Sequence, residues 1–375
     1  TGCATTNWTD SEGLRDLART AARLAQNSPP DPDFRSLPSP KPLPEAPSYA
    51  APTEASTPEE RALVVQAIVA EAKRIGAIAS GSLSAACNER AIANSLGIRA
   101  YEPRTYANLV TIIADGDATG YSEWAGKDIS RMPAGEVASL AAAKCGLNHN
   151  PQKLEPGEYC VILEPPAVAD LIDFLGYLGL GALAFQEGRS FMCDNIGKKI
   201  AGENITLWDD GLDERLFSAS FDYEGVPKQK VVFIENGVAR NVVYDSYTAA
   251  KDNKESTGHA LPAPNTYGPM PIHMCLAAGE ATPEEILAST ENGLLVTRFH
   301  YTNVISPRET ILTGMTRDGT YLVKNGELAR AVQNLRFTES VLNVLNRVEM
   351  LGKMPLLSMG CLVPMLKVSR FNFTS

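Results

Sequence analysis

The sequence predicts an α+β fold, with an N-terminal α/β part over 1–150 and a β-rich part over 151–375. Three observations carry this reading. Helical apolar spacing recurs over 10–26, 57–75 and 133–145. A strand region with alternating positions lies between the last two of these stretches. Asn-Gly and Asp-Gly pairs then fall between β-rich segments in the C-terminal half, as hairpin turns do. With 375 residues, 44% hydrophobic and 21% charged, the chain has material for two domains and is not disordered as a whole.

Taken in order, residues 10–26 place Leu14, Leu17, Ala21 and Leu24 on one helical face, with Asp10 or Ser11 as cap. Nine prolines then fall between Pro29 and Pro52. Proline removes donors and fixes φ, so 28–53 is expected to be an extended connector. A proline-rich ligand for an aromatic groove is the alternative. Thr57-Pro58-Glu59-Glu60 is a capping box, followed by Leu63, Ala67, Ile68, Ala72 and Ile75 at helical spacing and Gly76 as the stop. Thr105, Ala107, Leu109, Thr111 and Ile113 alternate as a strand, and Asn94 to Gly97 supplies a turn. Pro133 to Cys145 is an Ala-rich helix suited to close packing on a sheet.

Pro151 to Glu158 is polar, with Pro and Gly, and marks the expected boundary. A strand, Tyr159 to Leu163, and a helix, Pro166 to Phe185, follow. Asn236-Gly237, Asp318-Gly319 and Asn325-Gly326 are expected to be hairpin turns, the last two making a three-stranded meander. A closing helix is expected over Thr338 to Met350, with Val341, Leu345 and Val348 inward and Gly352 ending it.

The balance of 34 basic and 44 acidic residues gives a net charge of −10, which argues against a nucleic-acid partner. The longest apolar run, Leu171 to Phe185, contains Asp173 and is shorter than the ~20 residues a span requires, so no membrane partner is expected. No signal peptide is visible at the start, Thr1. Seven cysteines (Cys3, Cys87, Cys145, Cys160, Cys193, Cys275, Cys361) form no CxxC pair and suit a reducing, cytoplasmic location.

Read from residues alone, the chemistry is sparse. The four histidines, His149, His259, His273 and His300, are too far apart for a two-imidazole helix motif. His273 and Cys275 would point the same way on a strand, which allows a metal pair, although a buried histidine beside a free thiol is the plainer reading. Asp209-Asp210 and Asp222-x-Glu224 could hold a hard cation or simply occupy turns and strand ends. Gly176, Gly179 and Gly181 lie in a helical pattern without a following Lys-Ser/Thr, so they read as packing positions rather than a phosphate loop. No GxSxG elbow is present.

An ordered series of short patterns adds to this. It comprises Gly188-Arg189-Ser190-Phe191, Ile196-Gly197, and Asn204-Ile205-Thr206-Leu207-Trp208-Asp209-Asp210. Phe221-Asp222-Tyr223-Glu224-Gly225-Val226-Pro227, Ile234-Glu235-Asn236-Gly237-Val238 and Ser256-Thr257-Gly258-His259 follow, then Tyr321-Leu322-Val323-Lys324-Asn325-Gly326-Glu327. Upstream, Asn94-Ser95-Leu96-Gly97 and Pro156-Gly157-Glu158-Tyr159-Cys160-Val161-Ile162-Leu163 fit the same series. Together these resemble the TldD/PmbA family of metallopeptidases over nearly the whole chain. The resemblance implies a β-rich C-terminal domain of that type and a chain truncated at its start, since the family's first strands and helix have no counterpart here.

In the catalytic branch of that family, a helix before the Gly-x-Ser segment bears HExxxH, and a cysteine near the C-terminus completes a zinc site. The matching helix here reads Ile172-Asp173-Phe174-Leu175-Gly176-Tyr177-Leu178-Gly179-Leu180, and Cys361 lies in the region of that cysteine. Without imidazoles or the glutamate, nothing remains to hold zinc and activate water. The chain therefore resembles the PmbA (TldE) branch. The resemblance implies a cytoplasmic, non-catalytic subunit with no cofactor of its own and zinc in a TldD-like partner. The pair would enclose a chamber for unfolded peptide. A homodimeric peptide-binding or scaffolding protein is the alternative. Ser256, Thr257, Gly258 and His259 are the expected substrate-binding residues, where Gly258 would let an extended peptide backbone approach. A turn with no ligand is the competing reading of that loop.

Overall fold

A computed structural model describes residues 1–375. The fold is α+β, with a sheet-rich C-terminal part. The first helix, Ser11–Asn27, is capped by Asp10, whose carboxylate accepts from the amides of Glu12 and Gly13 at 3.0 and 2.9 Å. Its expected apolar face is only partly covered: Leu17 and Ala21 are half-buried, while Leu14 is 48% and Leu24 45% exposed. The proline-rich stretch runs without regular structure to one short helix, Ala51–Glu54. It lies on the first sheet, where Thr105 N donates to Ser48 O at 2.9 Å.

The capping box forms as the sequence predicts: Glu60 N donates to Thr57 Oγ1 and Thr57 N to Glu60 Oε2, starting the helix Pro58–Arg74. The strands Ile78–Ala93, Arg99–Asp115 and Ala118–Gly126 make a three-stranded antiparallel sheet. Asn94 Oδ1 closes the first turn by accepting from the amides of Leu96 and Ile98, both at 3.0 Å. Helix Ala134–Leu147 lies on this sheet so closely that a Cβ on Gly120 would collide with the helix backbone at Ala141 and Cys145. Only glycine permits that approach.

The C-terminal part is built on a seven-stranded sheet. The strands run in the order Glu327–Ala331, Ile311–Lys324, Arg336–Ser340, Leu366–Phe373, Gly157–Leu163, Asn292–Ser306, with Val348–Leu351 pairing beside Leu366–Phe373. Asn292–Ser306 also pairs with Ile311–Lys324, so the sheet closes on itself and hides its edges. A second, six-stranded sheet runs Leu356–Ser358, Cys361–Val363, Met274–Leu276, Leu207–Asp209, Val231–Glu235, Val238–Ala239. The helix Pro165–Gly179 packs between the two sheets, burying Leu171, Ile172, Leu175 and Leu178. The core here gathers 45 buried residues, against clusters of 7 and 4 under the N-terminal sheet. At ~1.5–3 kcal/mol for each large apolar side chain, the C-terminal core is the main source of stability.

Three expectations are corrected. Asn236-Gly237 and Asn325-Gly326 do turn strands, with φ of 49° and 79°, and 50° and 80°. Asp318-Gly319 does not; it is a bulge inside the strand Ile311–Lys324, where the register against Asn292–Ser306 shifts. Its φ of 54° and 134° would suit a turn, but Asp318 is buried and its carboxylate accepts from Arg298 Nε at 2.8 Å. The closing helix is only Val341–Asn346; Arg336–Ser340 and Val348–Leu351 are strands. Phe337 is drawn into a ring cluster with Phe299 and Phe371, at 4.5 and 5.4 Å, which outweighs the helical spacing. Gly352 is not its stop; it bridges to Ala281. The helix expected over Pro166 to Phe185 is interrupted at Leu180 and Gly181, where Gly181 bridges to Val243, and resumes as Ala182–Gln186. No helix is long and apolar enough to cross a membrane.

Candidate functional site

The helix Pro165–Gly179 opens with two prolines at its first positions, where the missing amides cost nothing, and its apolar spacing then faces it into the core on both sides. Its polar side chains are Asp170, Asp173 and the phenol of Tyr177. Burial pushes the Asp170 carboxyl up to about 6, against a hydrogen bond from the Thr302 hydroxyl. Burial raises Asp173 as well. Cys361 is buried in the neighbouring sheet, and burial followed by the Asp173 charge pushes its thiol upward. The Asp173 charge thus acts on Cys361 in the region where the resemblance expects a metal centre. The two residues do not fit zinc: no imidazole reaches them, the thiol is held protonated, and no group of three or more His, Cys, Asp or Glu in the chain is arranged to hold an ion.

The loop Ser256–His259 lies behind the second sheet, tied to it by a buried polar network. His259 Nε2 donates to Asp209 Oδ1 at 2.9 Å, and its Nδ1 accepts from the Thr257 hydroxyl at 2.9 Å. Asp209 Oδ2 accepts from the amide of His273 at 2.7 Å. Burial alone would raise the Asp209 carboxyl. The hydrogen bond from the His259 imidazole, and then the Lys228 charge, outweigh that and hold it well below the usual carboxylate range. His259 itself is pushed down, first by burial and then by the Lys228 ammonium, so it serves as a neutral donor to an ionised Asp209. Ser256 and Thr257 are half-buried, and their hydroxyls lie 3.2 and 3.1 Å from Tyr244 O.

Gly258 has φ of +76°, and the backbone close to it is the chain's own: a Cβ would fall far inside contact with the Pro227 carbonyl and 2.9 Å from Lys228 Cα. The loop also holds a neighbouring segment in place, since Met270 N donates to His259 O at 3.1 Å.

The other sequence candidates resolve into structure. His273 Nε2 donates to Phe217 O at 3.0 Å, its Nδ1 is buried without a partner, and burial pushes the ring down to about 3. Burial pushes the Cys275 thiol up to about 12, and it packs with Leu216 and Leu362 rather than beside the imidazole as a ligand. Asp222 accepts the amides of Glu224, Val226 and Ala260, each at 2.9 Å. Glu224 accepts from the amide and hydroxyl of Ser246, and Asp210 from the amide of Leu212. These carboxylates are backbone acceptors, not a cation site. Gly176 and Gly181 do serve packing, against Met274 and the Pro269 carbonyl.

One cleft was not legible beforehand. It measures about 450 Å³ and lies beside the C-terminal end of Pro165–Gly179, with Tyr177, Tyr267, Arg189, Met270 and Val304 among its lining. The Tyr177 and Tyr267 rings stand 5.9 Å apart and are 51% and 59% exposed. Its wall at Thr266–Met270 is the segment that His259 O anchors.

Residues 156–375 match the model of the PmbA/TldA metallopeptidase C-terminal domain. The chain is similar to an uncharacterised protein of Methanocaldococcus jannaschii, at 34% identity over 185 residues, 49% of this chain and 44% of that protein. It is also similar to the metalloprotease TldD homolog of Buchnera aphidicola (strain APS), at 29% over 172 residues, 44% of this chain and 35% of the relative. The matches therefore span less than half the length of these curated relatives. The crystal structure of TldE from Thermococcus kodakarensis has the same fold, with a TM-score of 0.88 over 100% of this chain and 87% of that one, at 21% identity.

Proposed function

This chain belongs to the PmbA/TldD metallopeptidase family, and from that premise we propose that it is the non-catalytic, peptide-holding subunit of a two-subunit peptidase whose zinc sits on the partner. One observation carries the reading. The helix that would bear the metal ligands carries no histidine or glutamate, and it ends beside a cleft walled by two exposed tyrosines. Activating water for hydrolysis needs a held metal and a base; gripping an unfolded segment needs only a trough, aromatic faces and backbone donors at a sheet edge. The trough and the two exposed aromatic faces support the second task.

In this role the peptide lies across Tyr177 and Tyr267, and the Ser256–His259 loop acts from behind, fixing the wall at Met270 through the His259 carbonyl. The chamber is completed by a TldD-like subunit. The seven free cysteines support a cytoplasmic site of action. The test is peptide turnover by the chain reconstituted with an HExxxH-bearing partner. Tyr177→Ala with Tyr267→Ala should raise KM about tenfold while leaving gel-filtration assembly intact, the loss of two aromatic contacts of ~0.5–1.5 kcal/mol each. Unchanged KM in an assembled pair, or full turnover by this chain alone, would defeat the proposal.

A further inference from the structure

A second cleft, about 460 Å³, opens where the hairpin Ile78–Ala93/Arg99–Asp115 crosses onto the C-terminal part, away from the tyrosine-walled trough. Its lining includes Arg90, Arg104, Tyr106, Phe217 and Tyr223. Arg90 is sandwiched, its guanidinium carbon 4.7 Å from the ring centroids of both Phe221 and Tyr223. Its Nη2 donates to Glu102 at 2.5 Å and to the Phe221 carbonyl, while its Nε is buried without a partner. Arg104 donates only to carbonyls, from Nε to Ser218 O at 3.1 Å and from Nη2 to Phe217 O at 2.6 Å. Behind them, outside the lining, lies Lys228, 4% exposed, with its stem over Gly211 and its ammonium under the charges of Asp209 and Asp222 first and of both arginines after them.

Three carboxylates behind the cleft are already occupied. Glu102 takes the amide and hydroxyl of Ser220 besides Arg90; Asp209 takes His259 and the His273 amide; Asp222 takes three backbone amides. Two half-buried arginines therefore line the cleft, and its one lining carboxylate is the exposed Glu89. Burial, and then the charge of Arg90, pulls Arg104 below its ordinary value, as crowded cations do. Buried unmatched donors are costly, and an anion is what relieves them.

We propose that this cleft binds a carboxylate, either the C-terminal group of a peptide or an acidic side chain, with the adjoining apolar part against the Tyr106–Phe217 ring pair. A planar guanidinium fork matches a planar carboxylate in a way a lone ammonium does not. The edge-to-face pair, with centroids 6.2 Å apart, supplies an aromatic surface for the residue next to the charge. Glu89 also lines the cleft, one oxygen held by the Tyr101 hydroxyl. Its charge disfavours a dianion, so phosphate is a poorer ligand than a single carboxylate. The site stands whether or not the chain works beside a catalytic subunit.

Isothermal titration of the full chain at low ionic strength tests this with four probes: acetyl-Ala-Phe as free acid, its amide, acetyl-Glu methylamide, and inorganic phosphate. At least one carboxylate probe should bind at one site per chain, with the neutral amide and phosphate weaker by about tenfold or more. Binding of the free acid assigns a peptide C-terminus; binding of the glutamate probe alone assigns an acidic side chain. Arg104→Gln should weaken that binding about tenfold or more with an unchanged circular dichroism spectrum. Arg104→Lys, which keeps the charge and loses the planar fork, provides the same reading should Arg104→Gln fail to fold. Equal binding of acid and amide, no binding of either carboxylate, tighter binding of phosphate, or wild-type affinity in a folded variant would each overturn the assignment.

Discussion

Gly258 and Gly76 share nearly the same backbone conformation, φ of +76° and +75°, and differ in what surrounds them. Nothing lies within 4 Å of a Cβ built on Gly76, whereas one on Gly258 would overlap the Pro227 carbonyl and approach Lys228 Cα to 2.9 Å. Gly76→Ala therefore isolates the conformational cost, ~1–2 kcal/mol for a left-handed non-glycine residue. Gly258→Ala adds the displacement of a buried backbone that also carries Thr257, His259 and the Asp209 bond, a disruption of ~2 kcal/mol or more beyond the first. Urea unfolding followed by tryptophan fluorescence should place the Gly258→Ala midpoint well below that of Gly76→Ala, with wild type highest. Midpoints that coincide for the two variants would refute the view that this loop is held by its own chain.

The pH dependence of stability has a definite sign. His259 and His273 are both depressed in the fold, His273 to about 3, so the unfolded chain binds protons first. Their contribution is full above an unfolded pKa of ~6.5 and is lost as pH falls toward the folded values, at up to ~1.4 kcal/mol per pH unit per histidine. Urea midpoints should thus drop between pH 7 and 5, and His273→Gln should flatten that slope; an unaltered slope would contradict it. Asp318→Ala should destabilise by ~3 kcal/mol, because it strands Arg298 beside the bulge, whereas a freely exposed hairpin turn would lose less than ~0.5 kcal/mol. Thermal melting of the variant separates the two.

What the sequence made legible is what short-range chemistry decides. Thr57 and Glu60 cap each other across three residues, and Asn325-Gly326 turns a strand by its own torsions, so neither depends on the rest of the chain. Asp318-Gly319 carries the same local signal, but its role is settled by Arg298 across the sheet. The helical spacing of Val341, Leu345 and Val348 is genuine, yet Phe337 and Val348 are claimed by strands through partners at Phe373 and Val368. Likewise, Ser256–His259 could be singled out, but its meaning lay in Asp209, 50 residues away from His259. Arg90, Arg104 and Lys228 gave no signal at all: each reads as an ordinary surface cation until the hairpin is laid on the C-terminal part.

Zinc content is the most direct test of the claim that this chain grips peptide without a metal centre of its own. Elemental analysis of the purified, dialysed chain should find far less than one zinc per molecule, with no hydrolysis of an unfolded peptide on adding zinc. One tightly held zinc per chain, lost on Cys361→Ser or Asp173→Asn together with peptide cleavage, would contradict the account.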